Sequence, residues 1–214
     1  MKKTTKILRI LEEKYGGEEL TELDYINEYT LLVAVMLSAQ ATDRGVNLAT
    51  EELFKIAKTP EEMLALGVEN VKKYIKTINY YHMKAKNIIS MSEKLVKDYN
   101  SKLPNTMEGL TSLAGVGRKT ANIILNIVFN KPAIAVDTHV FRVSNRLGIT
   151  KAKNVLESEQ QLMKVTPKKY IKNLNNNLVM FGRYECKAIK PHCSSCILSS
   201  YCDYFKNKGK NNTI

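Results

Sequence analysis

Apolar residues recur along this chain at helical spacing, and no stretch shows the sustained apolar–polar alternation of a half-buried strand. Ile7, Leu8, Ile10 and Leu11 form one stripe, closed by Gly16 and Gly17. Residues 28–39 (EYTLLVAVMLSA) are apolar almost all round, the mark of a helix buried on every side. Start signals punctuate the next stretches: Thr42 or Asp43 ahead of GVNLATEELFKIA, Thr59 before Pro60-Glu61-Glu62, and Asn105 or Thr106 before MEGLTSL. Further helices are predicted over 68–75, 83–99, 152–164 and 167–181, with a loop at 78–82 that carries two adjacent tyrosines. The fold class is therefore all-α. The polar tail from Asn207 is expected to fray.

One segment, 113–145, concentrates candidate chemistry. Gly115 and Gly117 lie two residues apart in a tight turn, followed by Arg118, Lys119 and an apolar helical run over 120–129. Glycine accepts a positive φ and lets a ligand come close to backbone N–H groups. A helix starting there adds unpaired donors and a partial positive charge, which together make a phosphate seat. Gly115, Val116, Gly117 and Arg118 are therefore candidate phosphate contacts. The same partial charge, with Arg118 beside it, disfavours the ammonium form of Lys119, and an amine so perturbed is the nucleophile of Schiff-base chemistry. After a break at Pro132, Asp137 precedes the next helix and supplies a carboxylate for proton transfer or for stabilising a cation. The plainer reading is an ordinary glycine turn with a solvated first-turn lysine.

Charge narrows the partner. Over 214 residues the formal net charge is +12, which points to a polyanion such as nucleic acid. The opening MKKTTKILRILEEKYGGE has no apolar core of a signal peptide, and the longest apolar run, 31–37, is too short to span a bilayer. The expectation is a soluble cytoplasmic protein, associated with the nucleoid, with its thiols kept reduced.

The four cysteines, Cys186, Cys193, Cys196 and Cys202, are spaced C-x6-C-x2-C-x5-C. Thiolates so close need zinc, an iron–sulfur cluster or disulfide pairing. A structural zinc site usually shows two short chelating pairs and this stretch has one, whereas the wider spacing suits a 4Fe–4S cubane. Lys187, Lys190 and His192, in the loop between the first two cysteines, either offset cluster charge or touch a DNA phosphate.

Taken together, LSAQATD (37–43), AGVGRKTAN (114–122), AVDTHVFRVSNR (135–146), GRYEC (182–186) and the cysteine spacing resemble endonuclease III, a family of bifunctional DNA glycosylases of base excision repair. The resemblance implies a helix–hairpin–helix glycosylase fold: a six-helix barrel domain over 21–131 and a 4Fe–4S cluster domain built from 1–20 and 132–214. It implies Lys119 as the Schiff-base nucleophile, Asp137 as the essential carboxylate and the four cysteines as ligands of one 4Fe–4S cluster. It further implies Gln40 as the residue entering the gap left by a flipped nucleotide and Tyr80 at the wedge position. The implied substrate is double-stranded DNA with damaged pyrimidines or abasic sites, the implied reaction glycosylase followed by β-elimination, and the implied state a monomer. Ala114, Phe181 and residues 79–83 (NYYHM) depart from the family's usual residues. The alternatives are an adenine glycosylase of the same fold, which generally lacks this lysine, and a non-catalytic DNA-binding module stapled by zinc.

Overall fold

The structure, a computed structural model, describes residues 2–17 and 20–211, with side chains described up to residue 207. Among the described residues every regular element is helical apart from one isolated bridge position at Gly16, in line with the all-α expectation. The chain divides into two compact units, one of Thr21–Phe129 and one of Met1–Leu20 with Asn130–Ile214.

The Thr21–Phe129 unit is built round α2 (Glu28–Leu37), whose residues from Tyr29 to Leu37 are all buried. Asn27 and Thr30 form a reciprocal cap at its start, with the Thr30 N–H donating to Asn27 Oδ1 at 2.9 Å. Burying a side chain such as Leu32 stabilises the unit by about 1.5–3 kcal/mol, so this helix supplies much of the core. α3 (Asp43–Ile56) packs against α2 and begins at Thr42, whose Oγ1 accepts from the Gly45 N–H at 3.1 Å. α4 (Pro60–Leu66) starts with a capping box of Thr59 and Glu62. α5 (Val68–Tyr74) leads to the long α6 (Tyr81–Tyr99), which packs on α2, α4 and α5. Two further helices, α7 (Met107–Thr111) and α8 (Arg118–Ile127), close the unit, α8 against α2.

The start of α6 differs from expectation. The loop predicted over 78–82 is shorter, and Tyr81 and His82 already belong to the helix, their rings stacked with centroids 3.9 Å apart. The reason is Tyr80, which adopts a left-handed backbone (φ 58°) and so turns the chain into the helix without a capping side chain.

The other unit is organised by α1 (Lys3–Tyr15), α9 (Thr138–Leu147), α10 (Val155–Val165) and α11 (Lys168–Tyr184). α11 receives both α1 and α9, and Ile7, Leu8, Leu11, Val140, Val143, Leu174, Leu178 and Phe181 share one core. Polar ties fix α1 in place. Glu12 accepts from Asn173 Nδ2 and Asn177 Nδ2 at 2.7 and 2.8 Å, and Glu185 accepts from Lys14 and Tyr15. A single 3-10 turn at Ser199–Tyr201 leads to α12 (Asp203–Asn211), so the tail expected to fray from Asn207 stays helical through Asn211. Its last three residues lie outside the described residues.

Phe181 explains one departure from the family's usual residues: it is fully buried and serves as a core side chain. Replacing Phe181 with alanine is expected to lower stability by about 3–5 kcal/mol, read as a fall in the denaturant midpoint.

Candidate active site and cysteine centre

α7 and α8 form a hairpin whose turn, residues 112–117, mixes exposed and buried positions. Gly115 and Gly117 are exposed, as are Arg118 and Lys119 in the first turn of α8. Gly115 needs to be glycine on two counts: its φ is +77°, and a Cβ there would stand 2.6 Å from Met36 Sδ and 3.0 Å from Asn87 Cβ. Gly117 has φ −89° and open space where a Cβ would go, so it leaves the first N–H groups of α8 without a side-chain cap rather than relieving strain. Val116 behaves differently from the candidate reading. It is buried, and its N–H donates to Leu113 O at 3.1 Å, so it anchors the turn in the core instead of offering that N–H to a phosphate.

A second exposed surface of this unit joins the exit of α2 to the entry of α6. Gln40 (φ 57°) and Tyr80 (φ 58°) are both exposed and both left-handed. Asn79 Nδ2 donates to Gln40 O at 2.9 Å, linking the two loops. An open depression lined by Gln40, Thr42, Gly45, Ile78 and Asn79 lies beside them, with about 750 Å³ of space. Beneath this surface lies Lys84 of α6, only 8 % exposed, its Nζ donating to Leu37 O at 2.8 Å and Ala39 O at 2.6 Å. Burial pushes its ammonium below the ordinary lysine range. Nothing in the local sequence around Lys84 marks it. Only the fold shows a lysine capping a buried helix.

In the other unit Asp137 is half-buried and caps α9, its Oδ1 accepting from the Val140 N–H at 2.8 Å. The extended approach to it is held by Asn175 Nδ2, which donates to Ala135 O at 2.6 Å. Lys119 and Asp137 thus sit at the starts of two helices in different units, the first exposed and the second already engaged through one oxygen.

The four cysteines line a single small pocket, walled on its apolar side by Leu147 and Phe181. No disulfide joins any of the four. Two arginines one turn apart on α9 hold the segment that carries Cys186. Arg142 donates to Cys186 O at 3.2 Å and Gly182 O at 3.0 Å, and Arg146 to Lys187 O at 2.7 Å and Ala188 O at 3.0 Å. Arg146 also lies 3.6 Å from Cys186 Sγ and stacks on the Tyr204 ring. Burial pushes the thiols of Cys196 and Cys202 up, so thiolates there call for a compensating cation. Among the described residues no three His, Cys, Asp or Glu groups converge on one ion position; the thiols are spread round the cavity wall. Lys187, Lys190 and His192 are exposed in the adjoining loop, where Lys190 has φ 50°.

Residues 33–168 match the HhH-GPD superfamily of base excision DNA repair proteins. The chain is 50 % identical over 202 residues to the endonuclease III of Rickettsia prowazekii, covering 94 % of this chain and 95 % of the relative. Against the endonuclease III of Escherichia coli K12 it is 48 % identical, with the same coverage. The chain belongs to the endonuclease III family. A solved structure of a trapped endonuclease III–DNA covalent intermediate, an estranged-adenine complex, matches 98 % of this chain and 99 % of its own at 40 % identity, with a TM-score of 0.89.

For this endonuclease III relative the two hairpin glycines separate by stability. Gly115→Ala should cost about 1–3 kcal/mol through left-handed strain and the Met36 contact, whereas Gly117→Ser, with extended backbone and open space, should melt within about 0.5 kcal/mol of the parent. Chemical denaturation of the DNA-free proteins checks both.

Proposed function

We propose that this protein removes damaged pyrimidines from double-stranded DNA and cleaves the resulting abasic site by β-elimination, with Lys119 as the nucleophile. The observation that carries the reading is the exposed amine of Lys119 at the uncapped start of α8, in the hairpin of a chain that belongs to the endonuclease III family. Gly115, Gly117 and Arg118 offer outward donors for phosphates, giving affinity without reading sequence. Lys187 and Lys190 add positive charge near the cysteine loop.

The chemistry is set by the groups present. A damaged, non-planar pyrimidine costs less to unstack than an intact one and is swung out of the helix. The Lys119 nitrogen attacks the deoxyribose C1′, the glycosidic bond breaks, and the base leaves with a proton. Ring opening gives a Schiff base between Nζ and C1′. Loss of a C2′ proton then expels the 3′ phosphate, and water releases the amine. Asp137 stabilises the positive charge that develops on the sugar, or accepts and returns protons.

Cys186, Cys193, Cys196 and Cys202 would hold one 4Fe–4S cluster. Four cysteine thiols lining one pocket are the donor set that such a cluster takes. When bound, such a cluster supplies four iron–thiolate links that tie the 187–192 loop to the start of α12.

Borohydride added during turnover should trap a protein–DNA adduct, and Lys119→Ala should abolish it. An adduct that survives in that variant overturns the assignment. Asp137→Asn should lower kcat about 100-fold or more while leaving the Kd for an abasic duplex within about threefold. Equal losses in the two would remove its catalytic role. The purified protein should be brown, with iron and acid-labile sulfide, and Cys193→Ser should bleach it. A colourless, zinc-containing protein without strand cleavage would instead be a binding module.

A further inference from the structure

Lys84 is a charged side chain with no obvious reason to be in a core. It is buried, it makes no ion pair among the described residues, and its ammonium is spent on two backbone carbonyls, Leu37 O and Ala39 O. Those carbonyls lie where the buried helix α2 ends, and a leucine or methionine at position 84 would leave the buried Leu37 carbonyl without this partner. The partial negative charge of a helix C-terminus makes a cation the fitting partner.

This arrangement fixes the backbone immediately before Gln40. Ser38 Oγ donates back to Val35 O and the Ala41 N–H to Ser38 O, so the turn from α2 is short. Lys84 grips its inner side at Leu37 and Ala39, and Asn79 grips its outer side at Gln40 O. Between these grips Gln40 holds a left-handed backbone that an unstrained non-glycine residue seldom adopts. The backbone N–H of Lys84 also donates to Tyr80 O at 3.0 Å, so the same residue ties the exit of α2 to the turn at Tyr80.

We infer that Lys84 and Asn79 are positioning residues for Gln40, aiming its side chain into the gap that base extrusion leaves in the duplex. This rests on the proposed function and on the reading, implied by the family resemblance, that Gln40 enters that gap. Neither residue touches the reacting atoms; both act through the backbone of one turn.

A duplex carrying 2-aminopurine opposite a reduced abasic site provides the readout, because its fluorescence rises when the base is unstacked. The full-length parent should give that rise, and Gln40→Ala should lose it. Lys84→Met should lose it too, with kcat on an abasic duplex down about tenfold or more and the Kd for undamaged duplex within about twofold. Asn79→Ala, an exposed change that leaves the core intact, should lose part of the rise. Adding Lys84→Met or Asn79→Ala to Gln40→Ala should change kcat by less than about twofold more, since the three act as one unit. Multiplicative losses in the double variants, or a full rise in the single ones, overturn the proposal. Should Lys84→Met fail to fold, the Asn79→Ala cycle decides by the same criteria. A full rise in Gln40→Ala locates the failure in the role of Gln40 and not in its support.

Discussion

A helix buried on every side cannot release its terminal carbonyls to water. α2 meets that condition, and the fold of its unit depends on how its end is satisfied. Ser38 folds back on Val35, and Lys84 reaches from α6 to Leu37 and Ala39. Those bonds draw together two loops about forty residues apart. Gln40 and Tyr80 then stand exposed on left-handed backbone, in loops joined by the bond from Asn79 to Gln40 O. The role proposed for Gln40 needs this combination of an outward side chain and a firmly held base.

The other unit solves a comparable problem with different chemistry. The segment after α11 has to run past a cavity lined by thiols, and its carbonyls are gathered by Arg142 and Arg146, which project from one face of α9. Glu185, next to Cys186, is held by Lys14 and Tyr15 of α1. Protein–protein bonds thus set the position of the first cysteine, and the cavity wall is apolar where Leu147 and Phe181 close it.

Most helices are legible in the sequence because their signals are local. Thr42, Thr59 and Thr106 each cap the helix they precede, and the uniform apolar run of α2 announces its burial. The hairpin glycines are equally readable, though only the folded structure separates Gly115, which needs its positive φ, from Gly117, which has extended backbone and open space. Three features are not legible. The start of α6 is hidden because a tyrosine in left-handed conformation leaves no compositional trace. Val116 reads as a backbone donor by its place in the turn, while its N–H is in fact paired inside that turn. Lys84 is indistinguishable from a surface lysine, since its partners come from a helix more than forty residues earlier.

The split of the second unit between Met1–Leu20 and Asn130–Ile214 has a consequence for how the protein is made. As the ribosome extends the chain, Thr21–Phe129 has its whole core available as soon as α8 has emerged. Helix α1, translated earlier, packs on α11, so the core that Ile7, Leu8 and Leu11 share stays incomplete until α11 is made. Nascent-chain exposure therefore falls on the segment whose docking completes the core of the second unit.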